Sequence, residues 1–267
     1  MMHNPPNVMV VAATIEDASL AAALSRKSGL PLGNPDCVDW QLLVSGIEVV
    51  LKRPDGLSVA IDFISGAGAR RATENNLQKQ PLARALGIGK IKKSSNRPPQ
   101  LVDATAGFGT DAWVMASLGA HVTLLERSVV LVAMLEHARQ QALQSPITAE
   151  RATAMQVVHT HAVDYLESLS DKPHCAKPDV VYLDPMYPPA RKQALVKKGM
   201  QLLHELLGPD TNNEQLLDAA LLAARSRVVV KRPAGAPALV NSAATQSQLT
   251  NVSSPNTRFD VYHLHSN

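Results

Sequence analysis

Aromatic residues are scarce in this chain of 267 residues. Three Phe, four Tyr and two Trp amount to 3%, so each ring is informative. Cysteine is nearly absent. Cys37 and Cys175 stand alone, with no CxxC pair or histidine-rich neighbourhood, which argues against a disulfide framework and against a zinc site. No stretch approaches the roughly 20 apolar residues that span a bilayer. The opening run Val8 to Ala13 has no basic flank and runs into Glu16 and Asp17, unlike a signal peptide, so a cytoplasmic location is expected. Charge is also sparse. Only 18% of residues are ionic and the formal net charge is +3, too little to establish a polyanionic partner. What is present is 45% hydrophobic residues, enough for a real core in one large α/β domain or in an ordinary domain with a small appendage.

The positive charge is unevenly spread. Between Arg70 and Arg97 lie eight basic residues (Arg70, Arg71, Lys79, Arg84, Lys90, Lys92, Lys93, Arg97) against the single acid Glu74. Such a patch suits nucleic-acid phosphates through counterion release, and it equally suits a solvated linker. Before it, strands are expected at Val8 to Ala13, Gln41 to Val44, Ile47 to Lys52 and Leu57 to Phe63, with a helix over Glu16 to Lys27. Leu82 to Ile88 reads as a short helix, and the polar stretch Ser94 to Gln100 as a boundary. This predicts a small N-terminal α/β subdomain over residues 1–93 and a main domain over residues 94–267.

From Leu101 the pattern alternates strand and helix, the signature of a parallel sheet covered on both faces. Strands are expected at Leu101 to Thr105, His121 to Leu125, Met155 to His159, Asp179 to Leu183 and Arg227 to Lys231. Helices are expected at Asp111 to Leu118, Ser128 to Ala142, Arg191 to Leu207 and Glu214 to Arg225. Ala234 to Thr257 reads as a long loop before a last strand, Phe259 to Leu264. Trp113 and Met115 read as core residues.

The first strand runs into Asp103-Ala104-Thr105-Ala106-Gly107-Phe108-Gly109-Thr110-Asp111, a glycine turn entering a helix N-terminus. Glu126 follows at the end of the second strand, where doubly wound folds place an acid on the ribose hydroxyls. A nucleoside site follows from that combination. Ala112 satisfies the third position of the dinucleotide fingerprint, so the loop alone leaves a nicotinamide cofactor open.

The fourth strand delivers Asp184-Pro185-Met186-Tyr187-Pro188-Pro189 at its carboxyl end. An acid, a proline and an aromatic at that place fit methylation of a planar exocyclic amine. The Asp184 carboxylate and the Pro185 carbonyl would accept the amine hydrogens, and Tyr187 would stack on the base. The same residues also fit a plain helix start, with Pro after an N-cap Asp. His159 and His161 lack a third ligand nearby, so no metal is expected.

The blocks Asp103 to Gly107, Leu125-Glu126-Arg127, Val180 to Pro188, Ala194 to Lys198, Val228 to Pro233 and Arg258 to Tyr262, with Asp62-Phe63 and Arg70-Arg71, together resemble the ribosomal small-subunit methyltransferase J family. The resemblance implies a class I methyltransferase (Rossmann-like) fold and no metal. It further implies methyl transfer from S-adenosyl-L-methionine to N2 of one guanine in 16S rRNA, guanine 1516 in the family. Carried onto this chain, it places the cofactor against Thr110, Asp111, Glu126, Arg127, His161, Ala162 and Asp184, beside the loop residues Asp103, Gly107 and Gly109. The chain departs from the family pattern at Thr73 to Gln80 and at His161. Next to a base-accepting pocket, Arg191, Lys192, Lys197, Lys198, Lys231 and Arg232 are expected on RNA phosphates, with Arg70 and Arg71. The RNA is expected within a small ribosomal subunit or its precursor. Two other readings stay open, a nicotinamide-dependent oxidoreductase and a non-catalytic ribosome-assembly protein that binds RNA.

Overall fold

A computed structural model of the chain describes residues 6–34, 36, 39–72, 77–186, 198–208, 212–239 and 247–264. The N-terminal part forms β1 (Val8–Ala12), α1 (Ala18–Ser28), β2 (Trp40–Ser45), β3 (Glu48–Lys52) and β4 (Ser58–Ala60). These strands make a four-stranded sheet in sequence order, with β1 parallel to β2 and the rest antiparallel. Three short helices follow: α2 (Ala67–Ala72), α3 (Pro81–Leu86) and α4 (Ile88–Ser95). Pro81 opens α3, where its missing N–H costs nothing.

The remainder is β5 (Gln100–Asp103), α5 (Thr110–Ser117), β6 (His121–Glu126), α6 (Val129–Gln144), α7 (Ala149–Thr153), β7 (Met155–His159), α8 (Ala162–Ser170) and β8 (Val180–Leu183). Then come α9 (Lys198–Leu207), α10 (Asn213–Ala223), β9 (Arg227–Pro233), β10 (Gln248–Ser253) and β11 (Thr257–His263). They build a seven-stranded sheet of order β10-β11-β9-β8-β5-β6-β7. β5 to β9 are mutually parallel, while β11 runs antiparallel to both β9 and β10. β8 is buried along its whole length because helices cover both faces of the sheet, which is why it reads as an unbroken Val-Val-Tyr-Leu run. β6 and β7 are added on one side of β5, and β8 and β9 on the other, so strand order reverses between β5 and β8 and the crevice for a ligand opens at their carboxyl ends.

Two expectations are corrected here. The boundary expected between residues 93 and 94 falls inside α4. Phe63, Leu82, Leu86, Ile88 and Ile91 share one core with Trp113, Leu118 and Val229, and the Phe63 and Trp113 rings stack at 4.8 Å. The N-terminal sheet is no freestanding unit either, since Val10, Leu42 and Leu51 pack against Leu131 and Met134 of α6 and Leu202 of α9. Second, the loop expected from Ala234 to Thr257 contains β10. That strand is an edge strand with mostly exposed side chains, so no apolar alternation marks it. Among the described residues no helix is long and apolar enough to cross a membrane.

Candidate active site

A cleft of about 460 Å³ opens at the carboxyl ends of β5, β6, β7, β8 and β9. Its floor begins with the loop after β5. Gly107 and Gly109 take left-handed φ values of 51° and 68°. Gly107 lines the cleft. Gly109 does not, and its expected cofactor contact is replaced by a packing role: a Cβ there would sit 2.8 Å from Leu135 Cδ2 and 2.9 Å from Phe63 Cζ. Thr110 and Asp111 start α5 on the cleft wall.

Glu126 ends β6 and is only 5% exposed. Its Oε2 accepts the Gly107 amide at 3.1 Å and its Oε1 the Ser128 amide at 2.8 Å, which fixes the carboxylate at the cleft wall. Burial pushes it up to about 7, against the pull of those two amides. Arg127 also lines the cleft and donates to the Leu207 carbonyl at 3.2 Å. Across from them, His161 caps α8, Ala162 is its first residue, and Asp164 in its first turn faces the same space. Asp164 escaped the sequence reading, although an acid one turn into the helix after the third strand is a visible signal.

At the other end of the cleft the side chains form an ionic network. Asp111 meets the Arg71 guanidinium through Oδ1, while its Oδ2 accepts from Tyr182 Oη at 2.6 Å and from Lys231 Nζ at 2.9 Å. Lys231 Nζ also reaches Asp184 Oδ2 at 2.7 Å. The Asp184 amide donates to Thr105 Oγ1 at 2.6 Å, tying the end of β8 to the glycine loop. Burial disfavours the Asp111 charge, yet Lys231 and Arg71 outweigh it and hold the carboxyl well below its ordinary range. Lys231 is likewise penalised by burial, but Asp111 and Asp184 keep it above the usual lysine value. Asp184 is shifted upward, first by burial and then by the Asp111 charge, with Lys231 opposing. Burial raises the Tyr182 phenol well above its usual value, so it stays a donor.

Asp103, at the tip of β5, is 2% exposed and accepts the Thr105 amide at 3.1 Å. Burial pushes its carboxyl up to about 8, partly offset by that amide and reinforced by Asp111 and Asp184. A test follows. Both Asp103 and Glu126 are raised in the folded protein, so their contribution to stability is full below the ordinary carboxylate range and is lost as pH climbs through about 7 and 8. The ligand-free protein should melt lower at pH 8.5 than at pH 5.5, by on the order of 5 °C. Asp103→Asn should flatten the difference; equal melting temperatures in the unaltered protein would contradict these shifts.

Several expectations about individual residues change. Lys231 and Arg71, expected on RNA phosphates, are instead drawn into the carboxylate network, because buried acids need cationic partners more than solvated phosphates do. Arg232 is 4% exposed and donates to the Pro237 carbonyl, so it faces the interior rather than an RNA rim. Pro185, expected to offer its carbonyl, is buried and is not among the residues lining the cleft, whereas Asp184 lines it with a side chain 38% exposed. Arg70 remains exposed, with Nη1 on the Ser65 carbonyl at 3.0 Å. Tyr187, Arg191, Lys192 and Lys197 lie outside the described residues, as does the side chain of Lys198.

The cleft fits a cationic nucleoside ligand. A buried carboxylate sits where ribose hydroxyls are read, and the floor carries Asp103 and Asp184, acids that burial holds toward their neutral forms and that gain from an incoming positive charge. A dinucleotide would bring two phosphates against the same acids. The dinucleotide-binding sheet is six parallel strands in the order 3-2-1-4-5-6, whereas here an antiparallel strand is inserted beside β9. Fold and site together therefore define a class I S-adenosylmethionine-dependent methyltransferase. The SAM_MT profile of SAM-dependent methyltransferases matches residues 24–264. The chain belongs to the ribosomal RNA small subunit methyltransferase J family. It is 40% identical to the protein of that name from Thioalkalivibrio sulfidiphilus, over 91% of this chain and 92% of the relative. The one from Nitrosococcus oceani is also 40% identical, over 94% and 96%. The crystal structure of a SAM-dependent methyltransferase from Neisseria gonorrhoeae superposes with a TM-score of 0.73 at 29% identity, covering 97% of each chain.

The ribose assignment is directly testable. Glu126→Ala should weaken S-adenosylmethionine binding at least about tenfold, since a charge-assisted hydrogen bond contributes roughly 1.5 to 3 kcal/mol. Unchanged calorimetric affinity in a folded variant would remove Glu126 from the ribose.

Proposed function

We propose that this protein methylates the N2 amine of one guanine in 16S rRNA, the position corresponding to guanine 1516 in the family, within the small ribosomal subunit or its precursor. The observation that carries this reading is Asp184, a carboxylate at the cleft end of β8, with Oδ2 held by Lys231 at 2.7 Å and Oδ1 without a partner among the described residues. The relatives' name supplies the RNA, and the acid supplies the chemistry of an amine.

The guanine N2 lone pair is delocalised into the ring, so an acceptor on an amine hydrogen is needed to turn it toward an electrophile. Asp184 Oδ1 serves as that acceptor, and the Thr105 hydroxyl keeps its backbone in place. Bound S-adenosylmethionine supplies an already activated methyl group, leaving position and charge to the protein. After transfer the amine carries one proton too many, and Asp184 Oδ1 is placed to take it. Its upward-shifted affinity for protons favours that step. Tyr187 is proposed to stack on the base, and Arg70 with Arg191, Lys192, Lys197 and Lys198 to meet phosphates.

Mass-spectrometric mapping of methylated guanines in small-subunit RNA, from cells with and without the gene, tests this. Loss of a single N2-methylguanosine is the expected result. An unchanged guanine methylation pattern would contradict it.

A further inference from the structure

S-adenosylmethionine ends in an α-amino acid, and its carboxylate requires a cation in the binding cleft. The nucleoside end belongs at Glu126 and the reactive methyl must face Asp184. That leaves the amino-acid end over the floor between β5, β8 and the start of α5. Two basic side chains line that floor, Lys231 and Arg71. Lys231 is already committed to Asp184 at 2.7 Å and Asp111 at 2.9 Å. Arg71 is held differently. Its Nη1 is on Asp111, its Nε is on Gln80 Oε1 at 3.3 Å, and Gln80 Nε2 returns to the Arg71 carbonyl at 3.2 Å. The guanidinium is thereby fixed from two sides while Nη2 has no partner among the described residues. Its side chain is 31% exposed, toward a cleft that it helps to line.

We propose that Arg71 anchors the carboxylate of the cofactor's amino-acid end. The inference rests on the cofactor and is independent of the RNA reading. In this arrangement Asp111 is a positioning residue that aims the guanidinium, and α2, which lies before the whole parallel sheet in sequence, completes the cofactor site. A planar guanidinium held in place by Nη1 and Nε, with Nη2 open to the cleft, can donate a charge-assisted hydrogen bond to a carboxylate.

Calorimetry with two ligands tests the proposal. S-adenosylhomocysteine has the amino-acid end, and 5′-methylthioadenosine keeps the nucleoside and sulfur but lacks it. Arg71→Met should weaken S-adenosylhomocysteine about ten- to thirtyfold, as loss of a charge-assisted contact does, and leave 5′-methylthioadenosine within about twofold. Arg71→Lys should recover part of the loss. Unchanged S-adenosylhomocysteine affinity with weaker RNA binding would overturn the proposal in favour of a phosphate contact. Equal weakening of both ligands would overturn it in favour of a structural brace. Should Arg71→Met not fold, the unaltered protein still decides. The carboxamide of S-adenosylhomocysteine should bind it about ten- to thirtyfold more weakly than the acid, and equal affinity would refute the anchor. If the unaltered protein bound neither S-adenosylhomocysteine nor 5′-methylthioadenosine, the cofactor assignment itself would fail, a result distinct from all of these.

Discussion

Asp184→Ala should lower the single-turnover rate of methyl transfer by about two to three orders of magnitude, the loss typical of removing one preorganised hydrogen-bonding group from a reacting centre. The effect should fall on the chemical step. Cofactor affinity should drop only modestly, because Glu126 and the glycine loop at the other end of the cleft are untouched. Asp184→Asn keeps an acceptor oxygen but cannot take the proton, and should fall between the two. Rates measured at saturating cofactor, with calorimetry on the same samples, check the split. A loss of activity that merely follows a loss of cofactor binding would contradict the role of Asp184.

Lys231→Met should lower the same rate by about two orders of magnitude at neutral pH. The cause is electrostatic. Lys231 is the cation that touches both Asp111 and Asp184, and Asp184 is further faced by Arg71 on α2, by Asp103 on β5 and by the Tyr182 phenol on its own strand. Without the ammonium, which opposes the upward shift that burial imposes, Asp184 would hold its proton to higher pH and less of it would be in the acceptor form. The variant's rate should therefore climb from pH 7 to pH 9 more steeply than that of the unaltered protein, and Lys231→Arg should restore most of it. A uniform loss at all pH values with weaker RNA binding would return Lys231 to a phosphate-contact role.

Much of this site was legible in the sequence because it is written in short local motifs. The strand, glycine turn, helix and acid that end at Glu126 are contiguous, and β7 occupies the expected residues Met155 to His159. The Asp184 motif is equally local. Apart from Asp164, which is local, the rest depends on contacts between distant segments. Arg71 and Asp111 are 40 residues apart, and Lys231 and Asp111 are 120 apart. A basic residue in sequence looks the same whether it meets phosphate or a buried carboxylate, so the basic run placed Arg71, and nearness to the expected base pocket placed Lys231, on RNA. Tyr182 lies within the expected strand Asp179 to Leu183, and only its hydroxyl contact to Asp111 at 2.6 Å reveals its part. The early domain boundary failed for a related reason. A polar stretch at Ser94 to Gln100 signals a turn, but it cannot show that Leu82, Leu86 and Ile91 belong to the core on its far side.

The proposed role of the carboxylate at the end of β8 is to serve a guanine amine in small-subunit RNA. Its most direct test uses small ribosomal subunits from cells lacking the protein, incubated with purified enzyme and methyl-labelled S-adenosylmethionine and then digested to nucleosides. Label is expected in N2-methylguanosine at one position, reaching about one methyl per subunit with the unaltered enzyme and strongly slowed with Asp184→Ala. Label in any other nucleoside, or equal rates for the two proteins, would contradict it.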